Sequence, residues 1–175
     1  IDLPADRPVV TICNAGRVSH VAADQLRKRG FDAFPLAGGM KAWSLSWNTA
    51  ELKLGSECVV QVRRTGKGCL SYLIGSGAEA AVIDAAVDPA VYIELARQHG
   101  WTIRYVLDTH VHADHLSRSR ALAHATGAEL VLPAAACVEF PFTPISDGAT
   151  VALGDAHIWA IATPGHTAES TCYMF

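Results

Sequence analysis

The chain has 175 residues, half of them apolar, with 14 basic against 17 acidic side chains and a net charge of −3. That length admits one domain or two modest ones, and the balanced charge, with no basic run, excludes nucleic acid and anionic lipid as expected partners. No run of about 18 apolar residues is present to span a membrane, and five cysteines without a Cys-x-x-Cys pair point to a reducing, cytoplasmic location.

The first predicted element is the apolar run Val9 to Ile12, read as a strand buried on both faces and ending at Cys13. A Gly-containing loop, Asn14 to Val18, leads to a helix capped by Ser19 and running to Arg29, with Val21, Ala22 and Leu26 on its apolar face and Gly30 as its stop. Phe31 to Leu36 returns as a strand, and Ser44 to Lys53 reads as a linker. Val59 to Arg63 and Cys69 to Ile74 flank the turn Thr65-Gly66-Lys67-Gly68, and a second turn at Gly75 to Gly77 leads into Ala80 to Asp84, which makes a three-stranded meander. Pro89 opens a helix that Gly100 closes. Ile103 to Thr109 is the next strand, Arg118 to Thr126 a helix stopped by Gly127, and Glu129 to Leu132 a strand; Thr150 to Thr163 forms two strands around Gly154, and Thr171 to Phe175 a last one. Ile1 in place of a methionine, and a final strand with no turn after it, predict that both ends are cuts in a longer protein.

Two places in this order carry chemistry. Cys13 ends a strand in a parallel βαβ pattern, where open α/β sheets place their ligands. A loop curled over its sulfur would surround it with backbone N–H groups and a helix N-terminus, favouring a thiolate that is nucleophilic at neutral pH. The second place is Thr109-His110-Val111-His112-Ala113-Asp114-His115, three imidazoles and a carboxylate within six residues just past a strand. Such crowding is electrostatically wasteful unless a cation gathers the groups, and imidazole with carboxylate suits zinc, iron or manganese. Downstream, Thr163-Pro164-Gly165-His166-Thr167 sets a further histidine on a loop after a strand. His20, His99, His124 and His157 lie on predicted helices or a strand without a partner motif and read as structural or solvated.

The segment His-x-His-x-Asp-His, followed by Thr-Pro-Gly-His-Thr, closely resembles the metallo-β-lactamase superfamily. The resemblance implies an αββα sandwich whose metal ligands are His110, His112, Asp114, His115 and His166, with Asp84 bracing the ligand loop from behind the metal. The family's next ligand, an aspartate in a Gly-Asp motif, lies beyond the end of this chain, so a first half of the sandwich is expected, its sheet uncovered on the inner face, poorly soluble or weak in metal binding. The N-terminal part resembles the rhodanese sulfurtransferases: Cys13-Asn14-Ala15-Gly16-Arg17-Val18-Ser19 matches their active loop and Gly38-Gly39-Met40-Lys41-Ala42-Trp43 their closing motif, with Asn14 departing from the usual arginine. It implies Cys13 as the catalytic thiol, with Gly16 and Arg17 holding an anionic substrate such as sulfite. The expected fold is therefore α/β, with the C-terminal part of a rhodanese βαβ domain at 1–47 and the first half of a metallo-β-lactamase sandwich at 54–175.

Three functions follow from these resemblances. The expected one is a persulfide dioxygenase that oxidises glutathione persulfide, or another small thiol persulfide, with O₂ to sulfite at Fe(II). There His110, His166 and the downstream aspartate would form a facial triad, coupled to sulfur transfer at Cys13. It is favoured by the rhodanese-like neighbour and by Leu116-Ser117-Arg118, where glyoxalase II enzymes often carry Gly-Gly. The alternative is a dinuclear zinc hydroxyacylglutathione hydrolase, with His110, His112 and His166 on one ion and Asp114 and His115 on a second. The third is a non-enzymatic sulfur carrier or redox sensor in which only Cys13 works.

Overall fold

The structure, a computed structural model, describes residues 3–4 and 6–175. The chain divides into two compact units, residues 1–47 with 64–68, and residues 48–63 with 69–175.

In the first unit, β1 (Val9–Thr11) runs parallel to β2 (Ala33–Pro35), in register Val9 with Ala33, and α1 (Arg17–Arg27) crosses between them. A short α2 (Gly39–Trp43) follows β2. Ser19 is not the cap of α1: Gly16, at φ 80°, precedes the first turn, and Ser19 lies inside the helix with its hydroxyl donated back to the Gly16 carbonyl. The buried face is correspondingly Ser19 and Ala23, while Val21 is exposed. Nor is β1 buried on both faces, since Val10 is exposed in a sheet of two strands among the described residues.

The second unit is built on a seven-stranded sheet in strict chain order: β3 (Trp47–Leu54), β4 (Glu57–Arg64), β5 (Cys69–Ser76), β6 (Glu79–Ile83), β7 (Thr102–Leu107), β8 (Glu129–Pro133) and β9 (Thr143–Ile145). The expected linker is thus the edge strand β3, exposed along its whole length, so no alternation of apolar residues announced it. From β6 onward the pairings are parallel. The crossovers are α3 (Pro89–His99), capped by the Asp88 carboxylate on the Ala90 N–H, and α4 (Ser119–Thr126), stopped by left-handed Gly127. Both helices pack on one face of the sheet, with Tyr92 of α3 and Leu122 of α4 in one core with Val60, Val82 and Val106 of the strands.

The opposite face is not bare. A small antiparallel sheet of β10 (Thr150–Leu153), β11 (Ala156–Ala162) and β12 (Thr171–Met174) brings Leu153, Ile158 and Ala160 onto Ile74, Ala81, Leu107 and Val131. The expectation of an uncovered inner face is corrected here: alternate residues of β6 serve two cores, Ala80 and Val82 toward the helices, Ala81 and Ile83 toward the small sheet. A register shift in the β6–β7 pairing, where Ala80 meets Ile103 but Ala81 meets Tyr105, leaves Arg104 as the extra residue, so Ile103 faces the helices while Tyr105 and Leu107 face the small sheet. The two sheets also meet at the turn after β10, where Gly154 donates to the Glu79 carboxylate at 3.0 Å and a Cβ would collide with the Ser76 carbonyl.

The turn after β6 is held from below by Tyr92 of α3. Its ring is fully buried, and its hydroxyl lies 2.7 Å from Ser71 Oγ while accepting the N–H groups of Ala86 at 2.8 Å and Val87 at 3.3 Å. Tyr92→Phe removes that acceptor and leaves both amides unsatisfied, so it is expected to destabilise the fold by about 1–3 kcal/mol, read by urea denaturation.

Candidate metal centre

β6 and β7 are parallel neighbours, so the residues following them emerge side by side at one end of the sheet, and the loop between β11 and β12 arrives from the small sheet. Asp84, first after β6, adopts φ 54°, the left-handed region that a non-glycine residue enters only when its surroundings compensate. The compensation is visible: Asp84 N–H donates to the Leu107 carbonyl at 2.8 Å, and its carboxylate accepts from Thr109 N–H at 2.7 Å, Thr109 Oγ1 at 2.9 Å and His112 Nε2 at 2.9 Å. With Nε2 so engaged, His112 keeps Nδ1 for another partner. Burial, the largest single effect on its ring, disfavours the cation, but the Asp84 hydrogen bond and the charges of Asp84, Asp108 and Asp114 outweigh it and raise its basicity.

The remaining imidazoles are fixed in the same manner. His110 Nδ1 is 2.8 Å from Thr109 Oγ1, leaving Nε2 free, and burial followed by the neighbouring His112 pushes its pKa down, toward the neutral form a metal requires. His115 Nδ1 is 3.1 Å from Asp114 Oδ1, and its Nε2 is buried with no hydrogen-bond partner, the one such side-chain atom among the described residues. An orphaned buried ring nitrogen costs free energy unless a ligand takes it. The donors of His112, Asp114 and His115 lie within 4.8 Å of one another, as cation ligands do. The His110 ring is 4.2 Å from that of His112 and meets His166 edge-on at 4.9 Å. His110 and His166 therefore flank the tight group and belong neither to it nor to the second such group among the described residues, Asp84, Asp108 and His112. The donor set fits zinc: neutral nitrogens plus carboxylate, most rings held by one nitrogen so that the other faces the cluster.

Asp108 is a residue that motif spacing did not single out. It is buried, its carboxylate accepting from Ser117 Oγ at 3.0 Å and from Ser119 Oγ, and its carbonyl takes the Tyr173 hydroxyl at 3.0 Å. Burial pushes its acid up to about 6, with the Asp84 charge adding to the effect. Two cavities border the cluster. One of about 440 Å³ is lined by His110, His166, Tyr72 and Cys172, the other of about 290 Å³ by His112, His115, Leu132 and Phe140.

In the first unit, the loop does curl over Cys13. Ser19 Oγ lies 3.4 Å from its sulfur, and the Cys13 and Asn14 carbonyls accept from Met40 and Lys41 at 2.9 and 3.0 Å. A Cβ on Gly16 would press on Gly38, and one on Gly39 would strike the Cys13 carbonyl, so these glycines permit the two loops to touch. The thiol is drawn down to about 7 by the Ser19 hydroxyl first and the Ser19 amide next, with Val18 and Ala15 amides adding and slight burial opposing. Arg17 is exposed at the first position of α1.

A mixed sheet with helices on one face, a second sheet on the other and a histidine-carboxylate cluster at the strand ends defines an α/β metal-site protein. The family model described as the metallo-beta-lactamase superfamily matches residues 64–170, and the chain belongs to that superfamily. Among curated relatives, the hydroxyacylglutathione hydrolase of Anaeromyxobacter dehalogenans is 37% identical over 109 residues, covering 62% of this chain and 42% of that protein. The Rhizobium johnstonii enzyme of the same name is 37% identical over 97 residues, 54% of this chain and 38% of that one. The chain thus spans about two fifths of the length of these relatives. Among solved structures, a metallo-beta-lactamase from Staphylococcus aureus superposes with a TM-score of 0.65 at 27% identity, over 68% of this chain and 37% of that one. ETHE1 from Myxococcus xanthus gives 0.57 at 28%, over 73% and 53%.

These relatives overturn the expected persulfide dioxygenase. Similarity to hydroxyacylglutathione hydrolases at 37% outweighs the 28% likeness to ETHE1, and the Fe(II) triad and persulfide substrate fall with that reading. The Gly-Gly missing after His115 did not discriminate, since the chain is similar to these hydrolases without it; Ser117 at that place bonds the Asp108 carboxylate. The family match begins at residue 64, so residues 1–47 take no family from it.

Two outcomes are expected. Asp84→Ala strips the brace from Thr109 and His112 and lowers zinc affinity by about 10- to 100-fold, measured by competition with a chromogenic chelator. Alkylation of Cys13 by iodoacetamide has its midpoint near pH 7, fast above it and lost below it as the thiolate is protonated; Ser19→Ala moves that midpoint upward.

Proposed function

We propose that this chain is the metal-bearing part of a thioesterase of the hydroxyacylglutathione hydrolase kind, with zinc at the strand ends and a glutathione thioester as substrate. The observation that carries the reading is the set of ring nitrogens left free on His110, His112 and His115, within residues 64–170 that the family model matches, in a chain similar to those hydrolases. His110, His112 and His166 would hold one ion, and Asp114 and His115 would hold a second. Bound zinc supplies Lewis acidity that polarises the thioester carbonyl and makes water nucleophilic near neutral pH. The protein's own part is orientation. Asp84 fixes the tautomer and tilt of His112, Thr109 fixes His110, and Asp114 fixes His115. Water adds to the acyl carbon, the C–S bond breaks, and a hydroxy acid and glutathione leave, with the cavity of about 440 Å³ beside His110 and His166 offering room for the thioester.

The module division we propose is 1–47 and 54–175. The first is rhodanese-like, with Cys13 as its nucleophilic thiol and Gly16 and Arg17 at its substrate loop, supported by the thiol near 7 and the amides around it. Five free cysteines suit a cytoplasmic setting, and no helix among the described residues is long and apolar enough to cross a membrane.

The test is thiol release from a hydroxyacylglutathione by the zinc-loaded protein, followed with a chromogenic thiol reagent. His110→Ala and His166→Ala are each expected to reduce kcat/KM at least 100-fold, while Cys13→Ser leaves thioester hydrolysis unchanged. A zinc-loaded protein without thioester turnover overturns the assignment.

A further inference from the structure

Besides the Tyr173 hydroxyl on the Asp108 carbonyl at 3.0 Å, further along β12, two bonds join the loop that carries His166 to the loop that carries His110 and His112. One is main chain, Thr171 N–H to the Thr109 carbonyl at 2.9 Å, which no side-chain substitution deletes. The other belongs to Glu169, half-buried, whose Oε1 accepts the Val111 N–H at 3.0 Å across 58 residues of chain. Val111 stands between the two histidines, so a bond to its amide fixes the backbone from which both rings project.

The His166 loop is otherwise fastened to itself. Thr167 Oγ1 lies 2.8 Å from Ser170 Oγ, Thr167 N–H donates to that same hydroxyl at 3.1 Å, and Thr163 N–H donates to the Ser170 carbonyl at 2.8 Å. A loop closed in this way moves as one piece. Where it sits is decided by what it grips outside itself, and the Glu169 carboxylate is its side-chain grip on the other ligand loop. Without that grip, the arrangement in which the His166 and His110 rings meet at 4.9 Å rests on the Thr171 to Thr109 backbone bond and, further along β12, on the Tyr173 hydroxyl held by the Asp108 carbonyl.

We infer that Glu169 is a positioning residue, a latch between the two ligand loops that sets the geometry at which His166 joins His110 and His112 on one ion. The inference rests on the metal reading proposed above. The charges of Glu169 and the His110 ring also act on each other, so a purely electrostatic role has to be separated from a geometric one. Glu169→Gln separates them, since its amide oxygen still accepts the Val111 N–H while the charge is gone.

The experiment measures zinc affinity by chelator competition and the visible ligand-field spectrum of the cobalt-substituted protein, for wild type, Glu169→Ala, Glu169→Asp and Glu169→Gln. Loss of an outer hydrogen bond that orients a ligand costs on the order of tenfold or more in affinity. The latch predicts that loss, with an altered cobalt spectrum, in the Ala variant and in the Asp variant, which is one methylene too short. The Gln variant stays within about twofold of wild type, with the wild-type spectrum. Metal-free urea melts identify any variant that fails to fold, and the conservative Asp and Gln pair carries the comparison if Ala does. An Ala variant matching wild type in affinity and spectrum, or a Gln variant as weak as Ala, overturns the latch alone. A wild type that binds no zinc overturns the metal reading and the latch together.

Discussion

Everything at the strand ends depends on one carboxylate held in a conformation it would not choose. Asp84 at φ 54° carries a backbone strain of about 1–2 kcal/mol, and in return it reaches a main-chain N–H, a hydroxyl and an imidazole at once. A glycine would enter the left-handed region without strain but would reach none of them, and an asparagine could not accept as strongly from His112. The parallel pairing of β6 with β7 is what brings Asp84 beside the Thr109 segment, and Tyr92 keeps the chain after Asp84 from relaxing. Sheet topology, strand-end strain and the orientation of a histidine ring are therefore one mechanical unit.

Much of this was legible beforehand, for definable reasons. Dense local patterns declared themselves: the His-x-His-x-Asp-His run, the Thr-Pro-Gly-His loop, Pro89 and Gly100 bounding a helix, Asp84 closing an apolar run. What stayed hidden depends on partners far away in sequence. Strand β3 has no buried face to imprint a period. Asp108 is recognisable only once Ser117 and Ser119 fold back on it, and Glu169 only once a residue 58 positions earlier is seen to donate to it. Ser19 looked like a cap because capping residues and buried helical serines share the same letter, and Gly16 occupies the cap position instead.

The reversal on function has a similar origin. Two neighbouring segments point to a shared substrate, sulfane sulfur, but the ligand residues are common to both chemistries and adjacency does not choose between them. The ligand set alone does not separate an iron dioxygenase from a zinc hydrolase, because imidazole and carboxylate serve both metals. Similarity over about a hundred residues reaches well beyond the donors, and it favours the hydrolases. A cysteine loop next to a metal fold is evidence about the cysteine.

The seam at Gly154 bears on more than packing. At the end of the sheets remote from the histidines, a side chain at this position would meet the Ser76 carbonyl, and the amide is spoken for by Glu79. Because the small sheet also delivers His166, any residue larger than glycine at that turn would tilt the sheet as a lever tilts about its fulcrum. Natural variation at a position touching no donor would then surface as poor metal occupancy, and a survey confined to the ligand residues would miss it.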